Sequence, residues 1–182
     1  MRAHILFLLP AGPALAQQAP LPASLPAEVA EAILARPDRF ADLAADLIHG
    51  HGTGGAITPD AIETTIALDR AYFRARALRP FLESDLDADG APTLTELSAR
   101  AATLSASARA RLMRQWDEAD ADADGTLTQP ELRLFAEAQV ARASRPLDEG
   151  LLRAVVAFDA DANGQTSLPE ITRAMAALAT TD

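Results

Sequence analysis

Four carboxylates stand at fixed intervals in the stretch Asp120–Glu131, which reads DADADGTLTQPE. Asp120, Asp122 and Asp124 hold its positions 1, 3 and 5, and Glu131 holds position 12. On a tight turn, alternate residues aim their oxygens at one point, and such a cage of hard oxygens suits a divalent cation. Gly125 at position 6 can take the left-handed backbone that the turn demands and that a Cβ resists. Thr126 at position 7 offers its carbonyl oxygen, and Thr128 at position 9 is expected to reach the ion through water. Glu131 closes the shell with both oxygens. The spacing D-x-[DN]-x-[DN]-G-x5-E describes a loop that wraps one Ca²⁺.

The pattern occurs twice more. Asp85–Glu96 supplies Asp85, Asp87, Asp89, Ala91 (by its carbonyl), Thr93 and Glu96. Asp159–Glu170 supplies Asp159, Asp161, Asn163, Gln165 (by its carbonyl), Ser167 and Glu170. Three complete matches in one short chain are not chance. In these loops the chain resembles the EF-hand family, and its layout is similar to that of four-hand, calmodulin-like proteins. The resemblance implies a helix–loop–helix at each site and up to three bound Ca²⁺ ions.

The loops begin at residues 85, 120 and 159, so the steps are 35 and 39 residues. A further step of 35 back reaches Gly50, where the chain reads GHGTGGAITPDA. Gly55 falls at position 6 and Ile57 at position 8. Gly50, Gly52, Gly54 and Ala61 fall where ligands belong and carry no side-chain oxygen. The register with the other repeats makes this a degenerate hand; a glycine-rich linker is the alternative.

The expected fold is all-α: EF-hand helix–loop–helix repeats in two pairs, the first hand degenerate. The first pair spans 27–104, with loops 50–61 and 85–96, and the second spans 105–182, with loops 120–131 and 159–170. In the family, paired loops exchange backbone hydrogen bonds at position 8, which is normally aliphatic. Ile57 and Leu127 fit, whereas Pro92 lacks an N–H and Thr166 is polar. Both expected pairs are thereby weakened on one side, and the loop at Asp120 is expected to bind best.

The elements that must carry these loops are legible as patterns. Phe40, Leu43, Ala44, Leu47 and Ile48 make an amphipathic helix over 37–49, preceded by a short helix over 26–35. Thr58 and Pro59 start a helix that runs toward Leu78, which Pro80 is expected to kink or restart. Thr93 with Glu96, Thr128 with Glu131, and Ser167 with Glu170 each form a capping box. One glutamate therefore serves the metal site and the exiting helix together. Ser105 or Ser107 caps a helix over 108–118, and further helices are expected over 131–143, 147–158 and after Glu170.

Residues 1–16, MRAHILFLLPAGPALA, have the basic start, short apolar core and A-x-A end of a secretory signal. Residues 17–26 make a proline-punctuated, mobile linker. With arginine as the sole basic residue besides histidine and with abundant alanine, the composition points to a GC-rich bacterium. The protein is then periplasmic or secreted. It has no cysteine, so neither disulfides nor thiolate metal sites arise.

The net charge of −10 has a local origin. The three loops hold eleven of the 26 acidic residues and no base. Acid so placed argues against nucleic acid, which needs a basic footprint. No segment is long and apolar enough to span a bilayer.

The residues contain no nucleophile–base pair, phosphate loop or cofactor signature, and no enzymatic activity is expected. His49 and His51 read as polar loop residues. The expected function is calcium binding in an exported protein, as a buffer or a calcium-stabilised module. The alternative is a calcium-dependent switch that exposes an apolar groove to an unidentified protein partner. Only Met113 and Met175 remain to line such a groove after the signal is removed. Lanthanides also fit hard-oxygen cages, but a bacterial EF-hand family selective for them carries Pro at position 2 and Asp at position 9. Here those positions hold Leu86, Ala121 and Ala160, and Thr93, Thr128 and Ser167. Selectivity for lanthanides is therefore not expected.

Overall fold

The structure is a computed structural model that describes residues 21–180. The expected signal, residues 1–16, and the start of the linker lie outside the described residues. The described part is mostly helical. Helices α1 (Ala27–Ala35) and α2 (Pro37–His51) lead to a two-residue strand β1 (Ala56–Ile57) and a long helix α3 (Pro59–Leu82). Then come α4 (Leu94–Ala101), α5 (Ala106–Ala119), α6 (Gln129–Ala143) and α7 (Pro146–Ala154). A 3₁₀ turn (Val155–Phe158), strand β2 (Thr166–Ser167) and helix α8 (Leu168–Ala179) complete it.

The helix starts follow local chemistry. Thr58 accepts the N–H of Ala61 at the head of α3, and Ser105 accepts that of Ala108 at the head of α5. Capping boxes at Thr93, Thr128 and Ser167 open α4, α6 and α8, each closed by its glutamate. Pro37, Pro59, Pro130, Pro146 and Pro169 all lie in first turns, where a missing N–H costs little.

Pro80 does not break α3, contrary to expectation. The helix runs through it for 24 residues. The carbonyl of Pro80 accepts from the Ser84 hydroxyl and the Arg100 guanidinium, which anchors this end of the helix. A second departure lies at Val155, where the expected helix over 147–158 tightens into the 3₁₀ turn. A third concerns the linker: Leu21 and Leu25 pack on the first core, so its last residues are docked.

Two apolar cores flank α3. The first gathers Val29, Ile33, Phe40, Ile48, Ile57, Ile62, Ile66, Val155, Phe158, Ile171 and Met175, from both ends of the chain. The second gathers Phe81, Leu97, Leu112, Trp116, Leu127, Leu132 and Phe135, from its middle. Helix α3 gives its first half to one core and its last turns to the other. Between them, Arg70 grips Glu149 of α7 with two hydrogen bonds of 2.8 and 2.9 Å. Arg153 grips Glu63, and Arg74 grips Glu137 of α6.

The pairing of loops differs from the sequential order expected. Strand β1 pairs antiparallel with β2, with Ile57 opposite Thr166 and Ala56 opposite Ser167. The loop over 85–96 pairs instead with that over 120–131. Leu127 donates its N–H to Pro92 O at 2.8 Å and Leu94 to Gly125 O at 2.9 Å. The grouping 27–104 and 105–182 thus gives way to a nested one, outer loops together and inner loops together. The reason is α3. A continuous helix of 24 residues is about 36 Å long at ~1.5 Å per residue, so the loops at its two ends cannot meet. The short break between α4 and α5 lets the inner loops fold together, and the outer loops are left for each other.

Position 8 adapts to this order. Pro92, with no N–H, still accepts from Leu127, and Leu94 supplies the return bond in its place. Thr166 is fully buried, and its hydroxyl has no partner among the described residues. An unsatisfied buried hydroxyl costs roughly 1–3 kcal/mol. Thr166→Val is therefore expected to raise stability by about 1 kcal/mol. Urea unfolding in the presence of chelator measures it; a loss of stability would show that the hydroxyl is satisfied.

Candidate metal centre

Each acidic loop leaves a helix, turns twice through the left-handed region, and enters the next helix at its capping box. Ala88, Ala123 and Ala162 at position 4 have φ of 60°, 56° and 56°. For a residue with a Cβ that conformation costs roughly 1–2 kcal/mol. Gly90, Gly125 and Gly164 at position 6 follow at φ of 86°, 83° and 84°. The double turn brings three carboxylates together in each loop: Asp85, Asp87 and Glu96; Asp120, Asp122 and Glu131; Asp159, Asp161 and Glu170. Within each trio the nearest oxygens all lie within 4.8 Å of one another.

The position 5 residues each give one side-chain oxygen to the loop itself. Asp89, Asp124 and Asn163 each accept the N–H of the position 7 residue, namely Ala91, Thr126 and Gln165, at 2.8, 2.8 and 2.9 Å. They cap the turn that the loop has just made. The position 9 hydroxyls of Thr93, Thr128 and Ser167 donate to Glu96, Glu131 and Glu170, each at 2.7 Å. The other oxygen of each glutamate accepts the N–H of position 2, from Leu86, Ala121 and Ala160. The closing glutamate is thus held in place by its own loop.

Position 1 distinguishes the loops. Asp85, Asp120 and Asp159 each accept the N–H of their loop glycine with one oxygen, at 3.0, 3.1 and 2.7 Å. The other oxygen of Asp85 accepts from Asp89 N, and that of Asp159 from Asn163 N. At Asp120 the corresponding Oδ1 is buried and has no partner among the described residues. Its Oδ2 also takes the indole N–H of Trp116, at 3.2 Å. The hydrogen bond from Trp116 is not evident from sequence; its spacing of four residues before Asp120 is the available signal. The left-handed alanines at position 4 likewise carry no compositional mark.

Hydrogen bonds lower the pKa values of the closing glutamates. The Thr93 hydroxyl, then the backbone N–H groups of Thr93 and Leu86, hold Glu96 down at about 2. Thr128 and Ser167 lower Glu131 and Glu170 in the same way. A carboxyl with a depressed value in the folded state adds stability above its unfolded value of about 4.3. That stability is lost as the pH falls toward the folded value. In chelator, helix content is therefore expected to hold from neutral pH to about 4.3 and to fall progressively below it. Carboxyl-carbon NMR reads the Glu96 step directly; titration of Glu96 at or above its ordinary range would contradict the network.

The loop over 50–61 carries no carboxylate at a ligand position. It closes on itself, Thr53 and Ala56 exchanging backbone bonds of 2.9 and 3.3 Å. Gly52 sits where a Cβ would lie 2.5 Å from both Ala56 O and Ile48 O. The segment is an ordered turn that delivers β1, not a loose tether. His49 and His51 stand exposed at the end of α2. An open cleft of about 730 Å³, lined by Phe40, Leu43, Leu151, Arg36 and Arg39 among others, lies between α1, α2 and α7 and includes none of the loop carboxylates.

Among the described residues, no helix is long and apolar enough to cross a membrane. No family model matches the chain, and no curated protein or solved structure matches it significantly.

Proposed function

We propose that the three acidic loops bind calcium ions, and that the chain acts outside the cytoplasm as a calcium buffer or as a module stabilised by the ion. The observation that carries this reading is Asp120 Oδ1, buried without a partner beside the carboxylates of Asp122 and Glu131. A buried charged oxygen left bare is costly, and a cation is the partner that the surroundings omit. A bound cation would supply the positive charge that each cluster of converging carboxylates lacks.

The donors fit. Each cluster offers oxygen ligands alone, which suits calcium, and no imidazole or thiolate that would favour zinc or copper. Asp85, Asp87 and Glu96, Asp120, Asp122 and Glu131, and Asp159, Asp161 and Glu170 would hold the ions. The position 7 carbonyls would complete each shell, as the EF-hand resemblance implies. Magnesium prefers a smaller octahedron and keeps its waters, so it is expected to compete poorly. The reading of the compartment rests on residues 1–16.

Trp116 is the sole tryptophan and touches Asp120, so its emission reports on that loop. Adding calcium is expected to change the emission saturably, and chelator to reverse the change. Emission indifferent to millimolar calcium would remove the Asp120 loop from the reading.

A further inference from the structure

We propose that the outer face of α3 docks a second copy of this chain, the two α3 helices lying antiparallel across a two-fold axis between Tyr72 and Phe73. The proposal stands apart from the calcium reading, since it uses no residue of the acidic loops.

Helix α3 is apolar on two sides. One side enters the cores through Ile62, Ile66 and Phe81, all buried. The other carries Leu68, Tyr72 and Leu82, which are 57%, 60% and 54% exposed. At 3.6 residues per turn these three share one side of the helix with Ala75, roughly opposite the buried set. Among the described residues, seven large apolar side chains stand exposed, and three of them lie in this row. Scattered exposed leucines are ordinary, but a row of them along one helix marks a contact surface.

The charges of α3 identify what covers the row. From Glu63 to Arg79 the helix carries six charged residues. Four are paired within the chain: Glu63 with Arg153, Arg70 with Glu149, Arg74 with Glu137 and Arg79 with Glu83. Asp69 and Arg76 are exposed, and neither has an ion-pair partner among the described residues. Both stand on the same flank of the apolar row. Two turns separate them, ~10.5 Å along the axis, so they do not bridge to each other.

An antiparallel second copy reverses their order and sets this flank against its own counterpart. The axis between Tyr72 and Phe73 is equidistant from Asp69 and Arg76. Asp69 therefore meets Arg76 of the second copy, and Arg76 meets its Asp69. One self-complementary patch satisfies both charges on both molecules, as a two-fold contact requires. Tyr72 lies next to the axis, where a large aromatic side chain anchors the centre of an interface. A parallel copy would set this flank against the opposite one, of Ala67, Ala71 and Leu78, and pair neither charge.

Sedimentation equilibrium of the purified chain tests the proposal, in millimolar calcium and at ~0.15 M salt to screen the repulsion between two acidic molecules. A dimer is expected, with a dissociation constant on the order of 10 μM, as suits a small interface. Leu68→Glu is expected to weaken it by at least about tenfold, since a charge then lies in the apolar row. Asp69→Arg is expected to weaken it about tenfold as well, because two attractions become two repulsions. Combining Asp69→Arg with Arg76→Asp is expected to restore it to within about threefold. A chain still monomeric at about 0.5 mM, or a dimer indifferent to Leu68→Glu, would overturn the interface. A double variant as weak as Asp69→Arg alone would overturn the antiparallel arrangement.

Discussion

Asp120→Ala is expected to weaken the first calcium-binding step by on the order of 100-fold, since loss even of an outer-shell partner costs roughly 10- to 100-fold. Position 1 is not equivalent across the loops. In the loops over 85–96 and 159–170, the second oxygen of Asp85 or Asp159 already takes a backbone N–H. An incoming cation competes with that bond. At Asp120 the oxygen is bare and buried, so nothing is given up. The Trp116 indole and Gly125 N–H hold the other oxygen, which fixes the carboxylate before binding. Calorimetry of Asp120→Ala beside Asp85→Ala and Asp159→Ala ranks the sites; an undiminished first step in Asp120→Ala would contradict the ranking.

Phe81→Ala is expected to destabilise the fold by about 3–5 kcal/mol, the usual range for removing a buried aromatic side chain. Phe81 is fully buried. Its ring meets Phe135 at 5.2 Å and Trp116 at 6.3 Å, both edge-on. Such pairs add stability beyond the area they bury. Its carbonyl also accepts the N–H groups of Ser84 and Asp85, at the threshold of the first acidic loop. The ring thus sits where α3, α5 and α6 converge and where two loops begin. Urea unfolding with and without calcium measures the loss; a change under about 1 kcal/mol would mean that the second core is not organised around this ring.

The loops were legible in the sequence because their acidic residues recur at fixed positions around a glycine. Spacing alone located Asp85, Asp120 and Asp159, and the glutamates eleven residues along. The capping boxes were legible for the same reason: one short pattern, Thr or Ser followed three residues on by Glu, states a local hydrogen bond. All three form as expected. The roles within each loop were less legible. Asp89, Asp124 and Asn163 turn to their own backbone, and the position 9 hydroxyls turn to the glutamate. A side-chain oxygen so close to its own backbone has several local N–H donors to choose between, and spacing does not record the choice.

Pairing order was not legible at all. Every loop presents a pairing edge of two or three residues, and no edge carries a mark that selects its partner. The choice is made at a distance, by whether the helix between two loops is broken. Pro80 suggested a break in α3, yet its ring lies near the end of the helix, where Arg100 and Ser84 satisfy its carbonyl. The break at Ala102–Ser105 is real and brings the inner loops together. A single unbroken helix thus decides which loops are neighbours.

The central claim is that clustered carboxylates close around a divalent cation at three places. Calorimetric titration of the purified chain with calcium, repeated in millimolar magnesium, tests it most directly. The account expects three calcium ions bound per chain, retained against magnesium. No calcium uptake at millimolar concentration, with a protein unaltered by chelator, would contradict it.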